Sequence, residues 1–199
     1  MAITTGILLF EDAEELDFVG PWEVFTMARM FGHEDDRVVT IAERAGIVRA
    51  HKGLRVIPDH TFADAPPLDV LLVPGGLGTQ KQADNLALID WIRKTSEQCT
   101  WVTSVCTGSF LLHRAGLAKG RRVTTHWAFC DALRQQGDIE VLEKVRFVHD
   151  GKLVTSAGVA AGIDMALWLV GQIHGIPHAR QTQHIMEYDP APPYAAEPG

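Results

Sequence analysis

Cysteine is scarce in this chain: three among 199 residues, at positions 99, 106 and 130, an odd number without paired spacing. That excludes a disulfide framework and points to a reducing compartment. Long apolar runs are also missing. No stretch approaches the roughly 18 consecutive apolar residues of a membrane-spanning helix. Met1 to Phe10 lacks the basic segment and the longer apolar core of a signal peptide. The chain is therefore expected to be cytoplasmic and to have no membrane partner. Basic charge is in deficit, with 18 Lys and Arg against 25 Asp and Glu and a formal net charge of −7. Nucleic-acid binders carry a basic face. The nearest feature here, Lys119 to Arg122, reads as a solvated turn, so no nucleic-acid partner is expected.

What is present suits one globular domain spanning 1–199. Hydrophobic residues make up 46% of the chain, enough for a substantial core. Short β-branched runs alternate with longer helical patterns. Strands are expected at Gly6 to Phe10, Arg37 to Ala42, Asp69 to Val73, Trp101 to Val105 and Arg122 to Thr124. Hairpins are expected over Ile47 to Pro58 and around Asp150-Gly151. Pro21 is placed in the first turn of a helix running to Phe31, where its missing N–H costs nothing. Further helices are expected over Asn85 to Gln98, Thr107 to Ala115, Ala128 to Gln136, Gly162 to His174 and Pro177 to Glu187, with an extended tail from Asp189. Alternating strands and helices imply a mainly parallel sheet covered on both faces, an α/β sandwich. Ligands of such sheets bind beyond the carboxyl ends of the strands.

That rule directs attention to Cys106. The segment Val102 to Leu112 runs from strand to helix with the cysteine at the corner, the layout of a nucleophile elbow. A helix N-terminus there is expected to favour the thiolate. Pro74-Gly75-Gly76 ends the preceding strand, and the N–H groups of Gly76 and Thr107 are the candidate oxyanion donors. Asp17, set among Leu16, Phe18 and Val19 and unlike the apparently exposed Glu14 and Glu15, is the candidate proton shuttle. His126 in Thr-Thr-His-Trp is a rival base or a cap. Asp164 opens an apolar helix and is expected to be buried with a partner such as His126, as structural support. Cys99 and Cys130 are expected to be structural. The histidines and cysteines are not read as a metal set. Gly75-Gly-Leu-Gly falls short of a dinucleotide fingerprint. No metal and no cofactor are expected.

Val-Pro-Gly-Gly at 73–76, Val-Cys-Thr-Gly at 105–108, Thr-Thr-His-Trp at 124–127 and Ala-Gly-Ile-Asp at 161–164 together resemble the ThiJ/PfpI superfamily, and most closely its isocyanide hydratase branch. The likeness extends from Leu16-Asp-Phe-Val-Gly-Pro21 to Glu187-Tyr-Asp-Pro-Ala-Pro-Pro193. It implies a flavodoxin-like three-layer sandwich, a homodimer, a small-molecule substrate and a catalytic cysteine with an acidic partner, which fall on Cys106 and Asp17. For that branch it implies cofactor-independent hydration of isocyanides to N-substituted formamides through a thioimidate. Two departures matter. The protease branch has a histidine directly after the cysteine, where this chain has Thr107. The Parkinsonism-associated branch has glutamate where Asp17 stands. Two alternatives stay open: a ligand-sensing domain such as begins AraC-type regulators, and glyoxalase- or deglycase-type carbonyl chemistry.

Overall fold

The computed structural model describes residues 2–190. Seven strands form the central sheet: β1 (Thr4–Leu9), β2 (Arg37–Ala42), β5 (His60–Thr61), β6 (Val70–Val73), β7 (Trp101–Ser104), β10 (Phe147–Asp150) and β11 (Leu153–Ser156). Their order is β10-β11-β7-β6-β1-β2-β5. All neighbours run parallel except β10 against β11. The two remaining pairs are small: β3 (Val48–Arg49) with β4 (Arg55–Val56), antiparallel, and β8 (Arg122–Val123) with β9 (Glu140–Val141), parallel. The helices are α1 (Glu15–Arg29), α2 (Thr79–Gln82), α3 (Leu86–Gln98), α4 (Gly108–Arg114), α5 (Cys130–Arg134), α6 (Ala161–His174) and α7 (Ile176–Ile185).

Central strands of a parallel sheet are covered on both faces and so read as continuous apolar runs. β6 is buried at all four positions, and β1 at five of six. The core joins Ile7, Leu8, Leu71 and Leu72 of these strands to Leu111 of α4 and Met165 of α6. α3 opens on Asn85, whose side chain accepts from the Leu88 N–H at 3.3 Å. The basic turn is solvated and neutralised locally, Lys119 by Asp138 and both Arg121 and Arg122 by Asp150.

Three expectations change. Pro21 does not open its helix: α1 begins six residues earlier, at Glu15. A proline inside a helix cannot donate to the carbonyl four residues back, here that of Asp17. The ring is kept there by packing, because a Cβ on Gly162 of α6 would lie 3.2 Å from Pro21 Cγ. The helix expected over 128–136 shrinks to a 3-10 turn, Trp127–Phe129, followed by the five residues of α5. β5, β9 and α2 were not expected, since two or four residues are too few to display a period. The extended tail lies, beyond its first two residues, outside the described residues.

Candidate active site

Four chain segments meet at the carboxyl end of the sheet: the start of α1, the turn after β6, the β7–α4 corner and the turn after β11. Backbone bonds lock them together. Val105 N–H donates to Val73 O at 3.1 Å, Cys106 N–H to Ala157 O at 3.1 Å and Glu14 N–H to Gly75 O at 2.9 Å. Glycine permits the close approach. A Cβ on Gly108 would stand 2.3 Å from Val73 O, and one on Gly75 would stand 2.5 Å from Thr107 N.

Cys106 sits at the corner with φ 54°, a left-handed value that non-glycine residues seldom adopt. Its carbonyl is held by Thr125 Oγ1 at 2.8 Å and Ser109 Oγ at 3.2 Å. The side chain is nearly enclosed, with 6% of the residue exposed. Burial pushes the thiol up to about 12, and the Asp17 charge pushes the same way, against the Thr107 N–H and hydroxyl. This corrects the expectation of a favoured thiolate. Desolvation is the largest influence on the thiol, and α4, which starts beside it, has only seven residues.

Asp17 lies in the first turn of α1 and is fully buried. One carboxylate oxygen, Oδ2, accepts the Gly75 N–H at 2.9 Å. The other, Oδ1, is buried with no hydrogen-bond partner among the described residues. Burial raises the carboxyl to about 7. The Gly75 N–H opposes this, the Glu14 charge adds to it, and Lys52 and the Val159 N–H oppose it more weakly. Glu14 and Glu15 are not exposed as expected. They are folded under the β3–β4 hairpin, where Lys52 pairs with both and Glu15 accepts the Lys52 N–H at 2.5 Å.

Of the two nominated oxyanion donors, only Thr107 is directed at the sulfur. Gly76, at φ +120°, gives its N–H to Thr107 Oγ1 at 3.0 Å, and the same hydroxyl lies 2.9 Å from Thr79 Oγ1. The Gly76 N–H is therefore engaged in holding the Thr107 side chain. His126 is close but differently employed. Its Nδ1 accepts the Ala128 N–H at 3.2 Å as a cap, and its ring packs on Gly158, where a Cβ would stand 2.1 Å from Cδ2. Asp164 does not meet His126. It pairs with Arg146 and accepts from Tyr188 Oη at 2.8 Å. The apolar helix start suggested an inner partner, but the carboxylate turns to the flank of α6.

Val159 was missed. It is β-branched, has φ 51°, and brings its N–H toward Asp17. Nothing in Ala157-Gly158-Val159 signals that the strain falls on the valine rather than the glycine. Cys99 and Cys130 are buried as expected, with Sγ directed at Thr95 O and His126 O. A groove of about 500 Å³ runs past the corner, lined by Gly76, Leu77, Thr107, Phe110, Arg114 and Phe129. A cavity of about 510 Å³ between Glu11, Glu43 and Asn85 has no cysteine, serine or threonine in its lining.

Taken together, these features form a thiol beside a buried acid whose charge opposes the thiol's ionisation, at the mouth of a parallel sheet. Known proteins are similar to this chain over most of its length. The isonitrile hydratase of Pseudomonas putida is 41% identical over 194 residues, covering 98% of this chain and 82% of that protein. The HTH-type transcriptional regulator CdhR of Pseudomonas aeruginosa is 32% identical over 168 residues, which are 84% of this chain and 50% of the regulator. A crystal structure of a ThiJ/PfpI family protein from Pseudomonas syringae superposes with a TM-score of 0.91 at 32% identity, covering 99% of this chain and 79% of that one. The sandwich is thus the α/β, flavodoxin-like one expected. The DJ-1/PfpI family model matches residues 5–172. By its sequence and its fold alike, this chain belongs to the DJ-1/PfpI family.

Proposed function

We propose that the protein is a lyase that hydrates isocyanides to N-substituted formamides, with Cys106 as nucleophile and Asp17 as proton shuttle. The observation that carries the reading is Asp17: a fully buried carboxyl, raised to about 7, with one unpartnered oxygen and a charge felt by the Cys106 thiol. An acid titrating near neutral pH can both give and take a proton. The likeness to an isonitrile hydratase supports the choice of substrate.

The chemistry follows from the substrate. As sulfur attacks the terminal isocyanide carbon, negative charge builds there and must be met by a proton. Asp17 accepts the thiol proton and delivers it to that carbon, giving a thioimidate, R–N=CH–S–Cys106. A water then attacks the same carbon while Asp17 takes one of its protons. Asp17 passes that proton to the imidate nitrogen, the C–S bond breaks as the remaining hydroxyl proton goes to the leaving sulfur, and the product is R–NH–CHO. Isocyanide plus water equals formamide, so no redox partner or cofactor enters. Thr107, whose N–H acts on the sulfur, steadies the charge that passes through it. The neighbouring groove, with Leu77, Phe110 and Phe129, suits an apolar substituent on the isocyanide nitrogen.

The test is formamide production from an aryl isocyanide. Cys106→Ser is expected to be inactive. Asp17→Asn should lower kcat by roughly 10²-fold or more, the usual worth of a positioned acid–base. His126→Gln should cost little. Near-normal turnover by Asp17→Asn, or inactivity of His126→Gln alone, would overturn the proton assignment. A second reading draws on the regulator relatives, of whose length this chain spans half: a domain that binds a small ligand without turning it over. Saturable isocyanide binding without formamide would favour it.

A further inference from the structure

At the opposite end of α6 from the thiol lies a second cluster of chemically capable side chains. With 14 residues, that helix separates the two places by about 20 Å. His33 and Asp36 come from the loop between α1 and β2, His174 is the last residue of α6, and His178 lies in α7 just past the turn at Gly175. One ligand atom each from His33, Asp36 and His174 lies within 4.8 Å of the other two.

We propose that His33, Asp36 and His174 form a binding site for a divalent late transition-metal cation of the zinc class. Two imidazoles and one carboxylate are the donor set such ions take, and leave a position open to water or a small ligand. One of the three, Asp36, is already oriented by a backbone group outside the set, as metal ligands characteristically are. Asp36 Oδ1 accepts the Ile3 N–H at 2.8 Å, which turns Oδ2 to the histidines, where it is paired with His174 in a bond whose proton a metal ion would replace. His174 places Nε2 2.7 Å from that oxygen. The His174 and Asp36 side chains are only 10% and 13% exposed, so the pair is shielded from water.

His33 makes no side-chain hydrogen bond among the described residues. Its ring lies on His174, with centroids 3.7 Å apart and a 29° tilt, and it is the ligand that must swing out of this stack to meet an ion held by the other two. The edge of His178 backs the stack at 4.6 Å, and its own Nε2 is committed to Ala28 O at 2.8 Å. His178 is thus a positioning residue. The absence of a metal set expected from the sequence is corrected here. His174 and His178 stand four apart, but the helix breaks between them at Gly175, and the other two ligands, His33 and Asp36, come from a loop some 140 residues earlier. A bound ion would clamp the α1–β2 loop to the α6–α7 corner.

The experiment titrates the EDTA-treated, desalted protein with cobalt(II) chloride and reads its visible d–d absorption, then repeats the thermal melt with zinc chloride. One equivalent of cobalt should give a saturable band without thiolate charge transfer, and zinc should raise Tm. His33→Ala should weaken cobalt binding by more than about tenfold and abolish the zinc shift without lowering the metal-free Tm. His174→Gln, which can still bond Asp36, should do the same to binding. No saturable band, a band carrying thiolate charge transfer, or binding unchanged in His33→Ala would each overturn the proposal.

Discussion

Asp17 is the residue on which the functional reading turns, and its environment makes a claim about stability as well as catalysis. The folded carboxyl stands near 7 against 3.8 for an ordinary aspartate. Between those values the folded chain binds the proton and the unfolded chain does not. Stability contributed by this group is therefore complete below pH 3.8 and is lost as pH rises towards 7. The full loss is on the order of 4 kcal/mol. Asp17→Asn keeps the shape and an oxygen for the Gly75 N–H but removes the titration. In urea unfolding, the stability of Asp17→Asn relative to wild type should rise between pH 5 and pH 8. A difference that does not change with pH would mean that the carboxyl is not held protonated. The candidate site was legible from the sequence where strand ends pointed to it, at Cys106, Thr107 and Asp17. Local spacing could not show that Thr107 captures the Gly76 N–H, that Lys52 draws Glu14 and Glu15 under a hairpin, or that His126 caps a turn. Each of those contacts joins residues brought together only by the folded sheet, apart from the His126 cap, which was one of two roles its position allowed.

At the level of elements, the corner works because α4 starts against the backbone of β6. Gly108→Ala would set a methyl group 2.3 Å from Val73 O, and backbone on both sides resists yielding. A loss of about 1–3 kcal/mol is expected, and with it a fall in turnover as Cys106 is pushed from its place. Gly171→Ala is the contrast. It lies within α6, where the new Cβ would meet only Ala179 Cβ at an ordinary 3.5 Å. That change should be neutral or raise stability by up to about 1 kcal/mol, since alanine is the better helix former. Thermal melts of the two variants check the pair. If both fall alike, the corner is not closely packed. The same contrast explains which elements were legible. Strands such as Arg37 to Ala42 and the helix from Asn85 declare themselves through run length, period and cap, and appear as expected. The start of α1 was misplaced because Pro21 is a strong local signal. The packing that overrides it, against Gly162 of α6, belongs to a helix some 140 residues away.

On the scale of the whole molecule, α1 poses a problem that one chain does not solve. Its inner face is buried through Phe18, Val24, Phe25 and Ala28. Phe25 is thus part of the core, and Met27 is half-buried. Yet the outer side is apolar too: Leu16, Val19 and Trp22 stand 37%, 37% and 39% exposed. A helix with a second apolar stripe on its outer side is one that gains from being covered. The patch continues onto the β3–β4 hairpin, whose backbone Glu15 holds at Lys52 and Leu54, and there Leu54 is 44% exposed. Contiguous apolar surface of this kind marks an interaction site rather than the ordinary scatter of surface leucines. Two-fold pairing of identical patches is the commonest way to cover one, which makes a second copy of the chain the expected occupant. Light scattering at micromolar concentration should then give twice the 21.9 kDa of one chain. Trp22→Glu would place a charge in the middle of the stripe. Because Trp22 points outward, the folded monomer should tolerate it, with circular dichroism unchanged while the mass halves. A wild-type mass of 21.9 kDa would refute the dimer. A Trp22→Glu protein that remains dimeric would move the interface off α1. If the variant is monomeric and its kcat for formamide also falls, the partner helps to close the site, because Trp22 and Asp17 belong to the same helix.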